Sequence, residues 1–415
     1  SLVFFAHGQI VNIPDANFKA KLLQSSPSVN TVLNQAGAKI KLDANSDGEI
    51  QETEAALAYT LNIRNMSIND LTGISSFVNL RSLICTGNNL ASLDVKMLPL
   101  TKLITDKNDL VGLDVSDMPT LTELDCSLNA LTSLNLSGSV NIAKLDCNHN
   151  ALTSLLLTDQ ALLTRLDCSR NSLAGLVLTN QTLLTYVNCS YNHLPALNLD
   201  AKPALVDLNC ANNLIPSFDF TGCPNLFSFD CSNNQLLSLD IAPLPQLESL
   251  DCGMNQLTSL NVSNSPNLDH LDCQHNLLSV IDLAGTDPTY YNCAYNQLTT
   301  LDVSNLGYPT PLSLDCSGNP LTSLTLGRLD MFRCNQVPLR SIRLPFPCIG
   351  IDLNGCQNLE SLYMKNGGAD LDMQLSNCNA LAYICADPED MWFIGEAIGP
   401  WNSAGCEVND YCVYT

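Results

Sequence analysis

The feature that most constrains this chain is a cysteine that returns every 21 residues: Cys126, Cys147, Cys168, Cys189, Cys210, Cys231, Cys252 and Cys273. A period that short and strict is the signature of a solenoid, in which each repeat buries its apolar face against the next. The same apolar set recurs around each cysteine, as at Leu121, Leu124, Cys126, Asn129, Leu131, Leu134 and Leu136. Leu124 and Cys126 alternate with Asp125 and Ser127, the period-two pattern of a strand with one buried face. Leu134 and Leu136 alternate again, so each coil is expected to carry a short extended segment on both sides, not a helix on the outer one. Asn129 falls where the chain must turn. An amide buried there can hydrogen-bond its own turn and its neighbours, and stacking would align such amides in an asparagine ladder.

The spacing LxxLxCxxNxLxxLxL resembles the leucine-rich repeat in its 21-residue form, called IRREKO, from about residue 59 to about residue 364. The resemblance implies a right-handed, mostly β solenoid, with residues 9–58 and 365–415 as small, partly helical caps. It speaks to fold and hardly at all to function.

A net charge of -23, from 41 acidic and 18 basic residues, disfavours nucleic acid and anionic lipid as partners. No run of 18 apolar residues is present to span a membrane. Residues 1–8, SLVFFAHG, look like the tail of a signal peptide, ending in the small-x-small site Ala6-His7-Gly8; the alternative is a buried first strand. No cysteine near that site offers a lipid anchor, so the expectation is a monomer passed through export machinery to the cell exterior or outer surface.

Nineteen cysteines in an exported chain ordinarily suggest disulfides. Here the ladder cysteines stand where Val or Leu would serve, and Thr105 replaces one of them, so they read as small core residues with free thiols. The later cysteines differ. Cys356 and Cys378 occupy equivalent loop positions and are placed to pair across coils, while Cys385, Cys406 and Cys412 are placed to staple the C-terminal cap.

In the N-terminal cap, Asp15 followed by Ala16 to Gln24 reads as a capped amphipathic helix. Next, DANSDGEIQETE matches a calcium-binding EF-hand loop: Asp43, Asn45 and Asp47 at alternate positions, Gly48 at the sharp turn, Glu49 offering its carbonyl, and Glu54 closing the shell. Ala38 to Leu42 reads as a strand where an EF-hand has its first helix, so the expected role of Ca2+ is to lock the cap and not to drive a sensor's opening. At the other end, Asp387-Pro388 reads as an N-cap and first turn of a helix reaching Ile398, with Trp392 and Trp401 nearby. The EF-like loop together with Cys385-Ala386-Asp387, Cys406 and Tyr411-Cys412 resembles the N-terminal part of large proteins exported by the type IX system of Bacteroidota, which implies further domains downstream.

Three columns of the main strand face outward. Asp125, Asp146, Asp167, Asn188, Asn209, Asp230, Asp251, Asp272, Asn292 and Asp315 form an acidic stripe, read as a solvated face. Carboxylates about 5 Å apart repel by about 1 kcal/mol in water, and parallel strands impose that spacing without any catalytic purpose. The columns on either side vary, and single coils match in chemistry: Arg165 with Arg170, Tyr186 with Tyr191, His270 with His275, and Tyr290 with Tyr295. Varied, aromatic-bearing positions on a rigid sheet suit a binding surface. With no GxSxG or HExxH motif, the reading is a non-enzymatic recognition or adhesion module for a protein or glycan; the alternative is a stalk presenting a downstream domain.

Overall fold

The computed structural model describes residues 8–412 other than 264, 369–371, 392, 393 and 395–404. The signal-peptide reading of residues 1–8 therefore falls almost wholly outside the described residues. Contacts divide the chain into two compact units, Ser1–Leu205 and Val206–Thr415.

In the first unit, the helix Ala16–Leu23 starts at Asp15, whose side chain accepts the N–H of Phe18, and it buries Phe18 and Leu22. The strand Val32–Leu33 then pairs antiparallel with Thr60–Asn62, the first strand of the solenoid. This covers an edge that would otherwise offer its backbone groups to another chain. From Thr60–Asn62 the strands run parallel, one per coil: Ser82–Ile84, Lys102–Ile104, Glu123–Asp125, Lys144–Asp146, Arg165–Asp167 and Tyr186–Asn188. Leu124, Leu145 and Leu166 are register partners, and a one-residue slip would turn all of them to solvent. On the other side of the coil, Gly112–Asp114 pairs with Ser133–Asn135, the second extended segment that the sequence implies.

The second unit repeats this plan in nine parallel strands from Asp207–Asn209 to Asp372–Gln374. Its register shifts between Leu312 and Ser313, in the coil where Cys316 follows Cys293 by 23 residues in place of 21. Across the coil, Ser341–Arg343, Ser361–Met364, Tyr383–Ala386 and Glu407–Asn409 form a parallel ladder of their own, so strand pairing continues past residue 364. Most of the helix expected up to Ile398, with Trp392 and Trp401, lies outside the described residues. Asp387 has another role from the one its sequence context suggests: its Oδ2 accepts the N–H groups of Asn366 (2.7 Å) and Gly367 (2.8 Å), one coil back.

The core is built from stacked columns. Leu121, Leu131, Cys126 and their equivalents are wholly buried, each leucine contributing about 2 kcal/mol. Beside them, Asn171 donates from Nδ2 to Cys147 O (3.0 Å) and Cys168 O (3.1 Å), and its Oδ1 accepts Leu152 N–H (3.0 Å). The same bonds recur at Asn150, Asn192, Asn255, Asn276 and Asn296, so each turn is tied to the coil before it. Burial pushes the Cys85 and Cys189 thiols up to about 12, which keeps them protonated and inert.

Candidate binding face

The acidic stripe is less solvated than its composition suggests. Oδ1 of each of its residues accepts a backbone N–H two positions on, as Asp167 does from Ser169 (3.0 Å), Asn188 from Ser190 (3.2 Å) and Asp251 from Gly253 (3.0 Å). These are Asx turns, which bend the chain out of the strand. Aspartate and asparagine serve equally, and where they alternate the amide also relieves the charge: Asn188 Nδ2 donates to Asp167 Oδ2 (3.2 Å), and Asn292 Nδ2 to Asp272 Oδ2 (2.9 Å). Asp146 and Asp251 each lie between two aspartates. Desolvation, then like-charge repulsion from those neighbours, raises Asp146 to about 6 and Asp251 to about 7.

The flanking columns hold the eight residues singled out from sequence, and they meet across coils. In the first unit the Arg165 guanidinium lies 3.6 Å from the centroid of the Tyr186 ring, and that of Arg170 lies 4.2 Å from the Tyr191 ring. In the second unit His270 stacks on Tyr290 at 4.3 Å and His275 on Tyr295 at 4.4 Å, with interplanar angles of 2° and 8°. Each array thus has two stacked walls with the Asx column between them. Burial raises the Tyr186 and Tyr290 hydroxyls above their usual range, with Asp167 and Asp272 adding to the effect.

The column two residues after the cysteine has a further property that the sequence reading missed. Its backbone is left-handed throughout: φ is 53° at Arg170, 54° at Tyr191, 52° at His275 and 54° at Tyr295. Each such residue costs about 1–2 kcal/mol relative to glycine. The signal was present in the column itself, which holds Gly87, Gly318 and Gly355 alongside Asn65, Asn212 and Asn233. Gly318 also admits its neighbour, because a Cβ there would lie 2.5 Å from the Tyr295 ring.

The EF-like loop has the turn its sequence demands, with φ of 63° at Ser46 and 81° at Gly48. Asp43 accepts from Asp47 N (3.2 Å) and Gly48 N (3.3 Å), and Glu54 reaches back to Ala44 N (2.7 Å) and Gln51 N (3.1 Å). Asn45 Nδ2 bonds Asp47 Oδ2 (2.8 Å), while the Glu49 side chain pairs with Lys19, leaving its carbonyl as the donor a calcium loop would use. The hard-oxygen donor set and the loop's turn suit Ca2+. Among the described residues, however, no three His, Cys, Asp or Glu side chains gather closely enough to hold a metal by themselves.

Of the late cysteines, Cys385 and Cys412 are disulfide-bonded and Cys406 is a half-buried free thiol. The expected pairing of Cys356 with Cys378 is not made. Their thiols run parallel down the stack, Cys356 Sγ donating to Cys334 O (3.0 Å) and Cys378 Sγ to Leu353 O (3.1 Å).

No protein-family model matches the chain, and no curated protein matches it in sequence. Solved structures do. The functional domain of InlJ from Listeria monocytogenes, which includes a cysteine ladder, aligns at TM-score 0.62 and 27% identity, covering 89% of this chain and 76% of that one. YopM from Yersinia enterocolitica aligns at 0.58 and 24%, covering 80% and 82%. A leucine-rich repeat protein of Leptospira interrogans aligns at 0.58 and 19%, covering 86% and 97%. The fold is the leucine-rich repeat solenoid, in turns of about 21 residues stitched by cysteines and asparagines.

Proposed function

We propose that this chain is a recognition module that binds a protein partner outside the cell through its outward strand face. The observation that carries this reading is the pair of stacked arrays, Arg165/Tyr186 with Arg170/Tyr191 and His270/Tyr290 with His275/Tyr295. Rings already held by a neighbour lose little freedom on binding, and tyrosine and arginine are the residues interfaces favour. Bulky side chains kept in a left-handed backbone, where glycine is cheaper, fit the same reading. The Cys385–Cys412 bond suits an oxidising compartment, and among the described residues no helix is long and apolar enough to cross a membrane. Adhesion and export by the type IX route belong to this proposal, as does a glycan in place of a protein.

The test is an array of extracellular proteins and glycans probed with the labelled chain and with a Tyr191→Gly/Tyr295→Gly double variant. A partner bound by the native chain should be lost with the variant. Equal binding by both would remove the strand face from consideration and leave the stalk reading.

We also propose that Ca2+ binds at Asp43, Asn45, Asp47, Glu54 and the Glu49 carbonyl, locking the N-terminal cap. Terbium luminescence and the melting temperature, each measured with Ca2+ and with chelator, should respond in the native chain and not in Glu54→Gln. A native chain indifferent to Ca2+ in both measurements would rule the site out.

A further inference from the structure

We infer that the Arg165/Tyr186 and Arg170/Tyr191 walls form a carboxylate-recognition site, and that the partner's segment seated there is an acidic stretch of polypeptide. This deepens the proposed protein-binding role and rests on it for the class of partner. Lys19, Lys96, Lys102 and Arg340 are the basic side chains among the described residues with a carboxylate within ion-pair distance. Arg165 and Arg170 have none among the described residues, although Asp167 stands between their columns. Asp167 is otherwise engaged: its Oδ1 takes the N–H and hydroxyl of Ser169 (3.0 and 2.7 Å), and its Oδ2 takes the Asn188 amide (3.2 Å).

Tyrosine stacking sets the geometry of the site. With its Cζ 3.6 Å (Arg165) or 4.2 Å (Arg170) from a ring centroid, each guanidinium is held by its neighbour before a ligand arrives, and its N–H groups have no carboxylate partner among the described residues. The N–H fork of a guanidinium matches the two oxygens of a carboxylate, bonded side by side. The site offers this twice in one coil, from two parallel walls, with Lys144 and His149 continuing the same two columns one coil earlier. Arg170 and Tyr191 are held there at φ of 53° and 54°, at a position where Gly87 shows that the turn itself needs no side chain. An extended acidic peptide lying between the two columns presents its carboxylates to the two arginines.

The probe is a fluorescein-labelled oligoglutamate peptide, titrated at 0.15 M salt, where the Debye length of about 8 Å screens the chain's distant acids. Binding is expected to fall by about tenfold for each of Arg165→Gln and Arg170→Gln, and the native advantage should shrink toward 1 M salt. Arg165→Lys/Arg170→Lys, which keeps the charge and loses the fork, should fall nearly as far. Far-UV circular-dichroism unfolding curves matched to the native chain would show that the variants are folded. Oligoglutamate binding untouched by the glutamine variants, or none in the native chain, overturns the site. Arginine-dependent binding of dextran sulfate in preference to oligoglutamate overturns the polypeptide assignment. The two readings fail separately. An array partner lost with Tyr295→Gly but indifferent to both arginine variants sinks this inference alone, and arginine-dependent oligoglutamate binding with no array partner sinks only the proposed function.

Discussion

Cys168 and Asp167 are neighbours in sequence and face opposite ways, and the columns they belong to obey different rules. Inward, the same residue returns coil after coil, and the asparagine bonds leave almost no freedom of choice. Outward, one position accepts Leu128, His149, Arg170, Tyr191, Met254 and Gly318 on the same left-handed turn. The difference teaches where the fold is decided. The turn is held from beneath, by Asx bonds and buried amides, so the side chain on top of it can change without altering the path of the backbone. A rigid support with a freely variable surface is what a recognition protein needs.

The contrast predicts its own largest effect. Asn171→Leu removes three donated bonds and one accepted bond: it strands the N–H of Leu152 inside the core, and leaves the carbonyls of Cys147, Cys168 and Ser169 with only the Asn150 amide, the Asn192 amide and the His149 N–H. At about 1–3 kcal/mol for the stranded N–H and about 1 kcal/mol for each donated bond lost, the loss should reach roughly 4 kcal/mol. Urea denaturation would measure it, and hydrogen exchange should place the loosening in the coils of Leu152 and Asn171. An inward substitution that left exchange unchanged would break the comparison at its root.

Second comes the position where inward and outward demands meet. Gly318→Ala places a Cβ against the Tyr295 ring on a backbone with φ of 65°, so it should cost about 2 kcal/mol. Denaturation read in Gly318→Ala and again in a Tyr295→Gly background should separate the two causes, because only the ring clash disappears there.

Third is a substitution expected to stabilise. Asp251 lies between Asp230 and Asp272, and desolvation and repulsion lift it from 3.8 to about 7. A carboxyl raised on folding holds its proton in the native state while the unfolded chain has lost it. Its favourable contribution is therefore complete below about pH 4, declines as pH rises toward about 7, and is gone above that. Asp251→Asn keeps the Asx acceptor, as Asn188 and Asn209 do in their own coils, and discards the charge. It should add about 1 kcal/mol at pH 8, after allowing for solvent screening, and nothing at pH 4. Melting temperatures across that range would check the sign.

Much of this was legible in the sequence, and the part that was not has a common cause. The period gave the strands, the leucine pairs gave the second extended segment, and Asn129 gave the ladder, because each rests on burial, which repeats. Asp15 and Phe18 likewise follow local helix rules. The Asx role of Asp167, the left-handed turn at Tyr191 and the placement of Cys378 depend instead on backbone direction, which apolar spacing does not record. Glycine and asparagine in the column of Tyr191 were the one trace of it. The cross-coil stacking of Arg165 on Tyr186 could be read from their 21-residue separation once columns, and not coils, were compared.

The smallest predicted effect is also the sharpest. Tyr295→Gly deletes an aromatic side chain, a change that ordinarily costs several kcal/mol inside a protein. Here three modest effects oppose one another. Losing the His275 stack costs about 1 kcal/mol, and the added freedom of glycine in the unfolded chain costs about 0.5–1 kcal/mol. Relief of the left-handed strain at φ of 54° returns about 1–2 kcal/mol. The net change in urea stability should lie within about 0.5 kcal/mol of zero. The same ring removed from the inward column, as Tyr291→Gly, should be ruinous, because Tyr291 is wholly buried. If Tyr295→Gly also proved strongly destabilising, the ring would belong to the architecture, and the case for an outward column free to serve a partner would fail at its best-defined position.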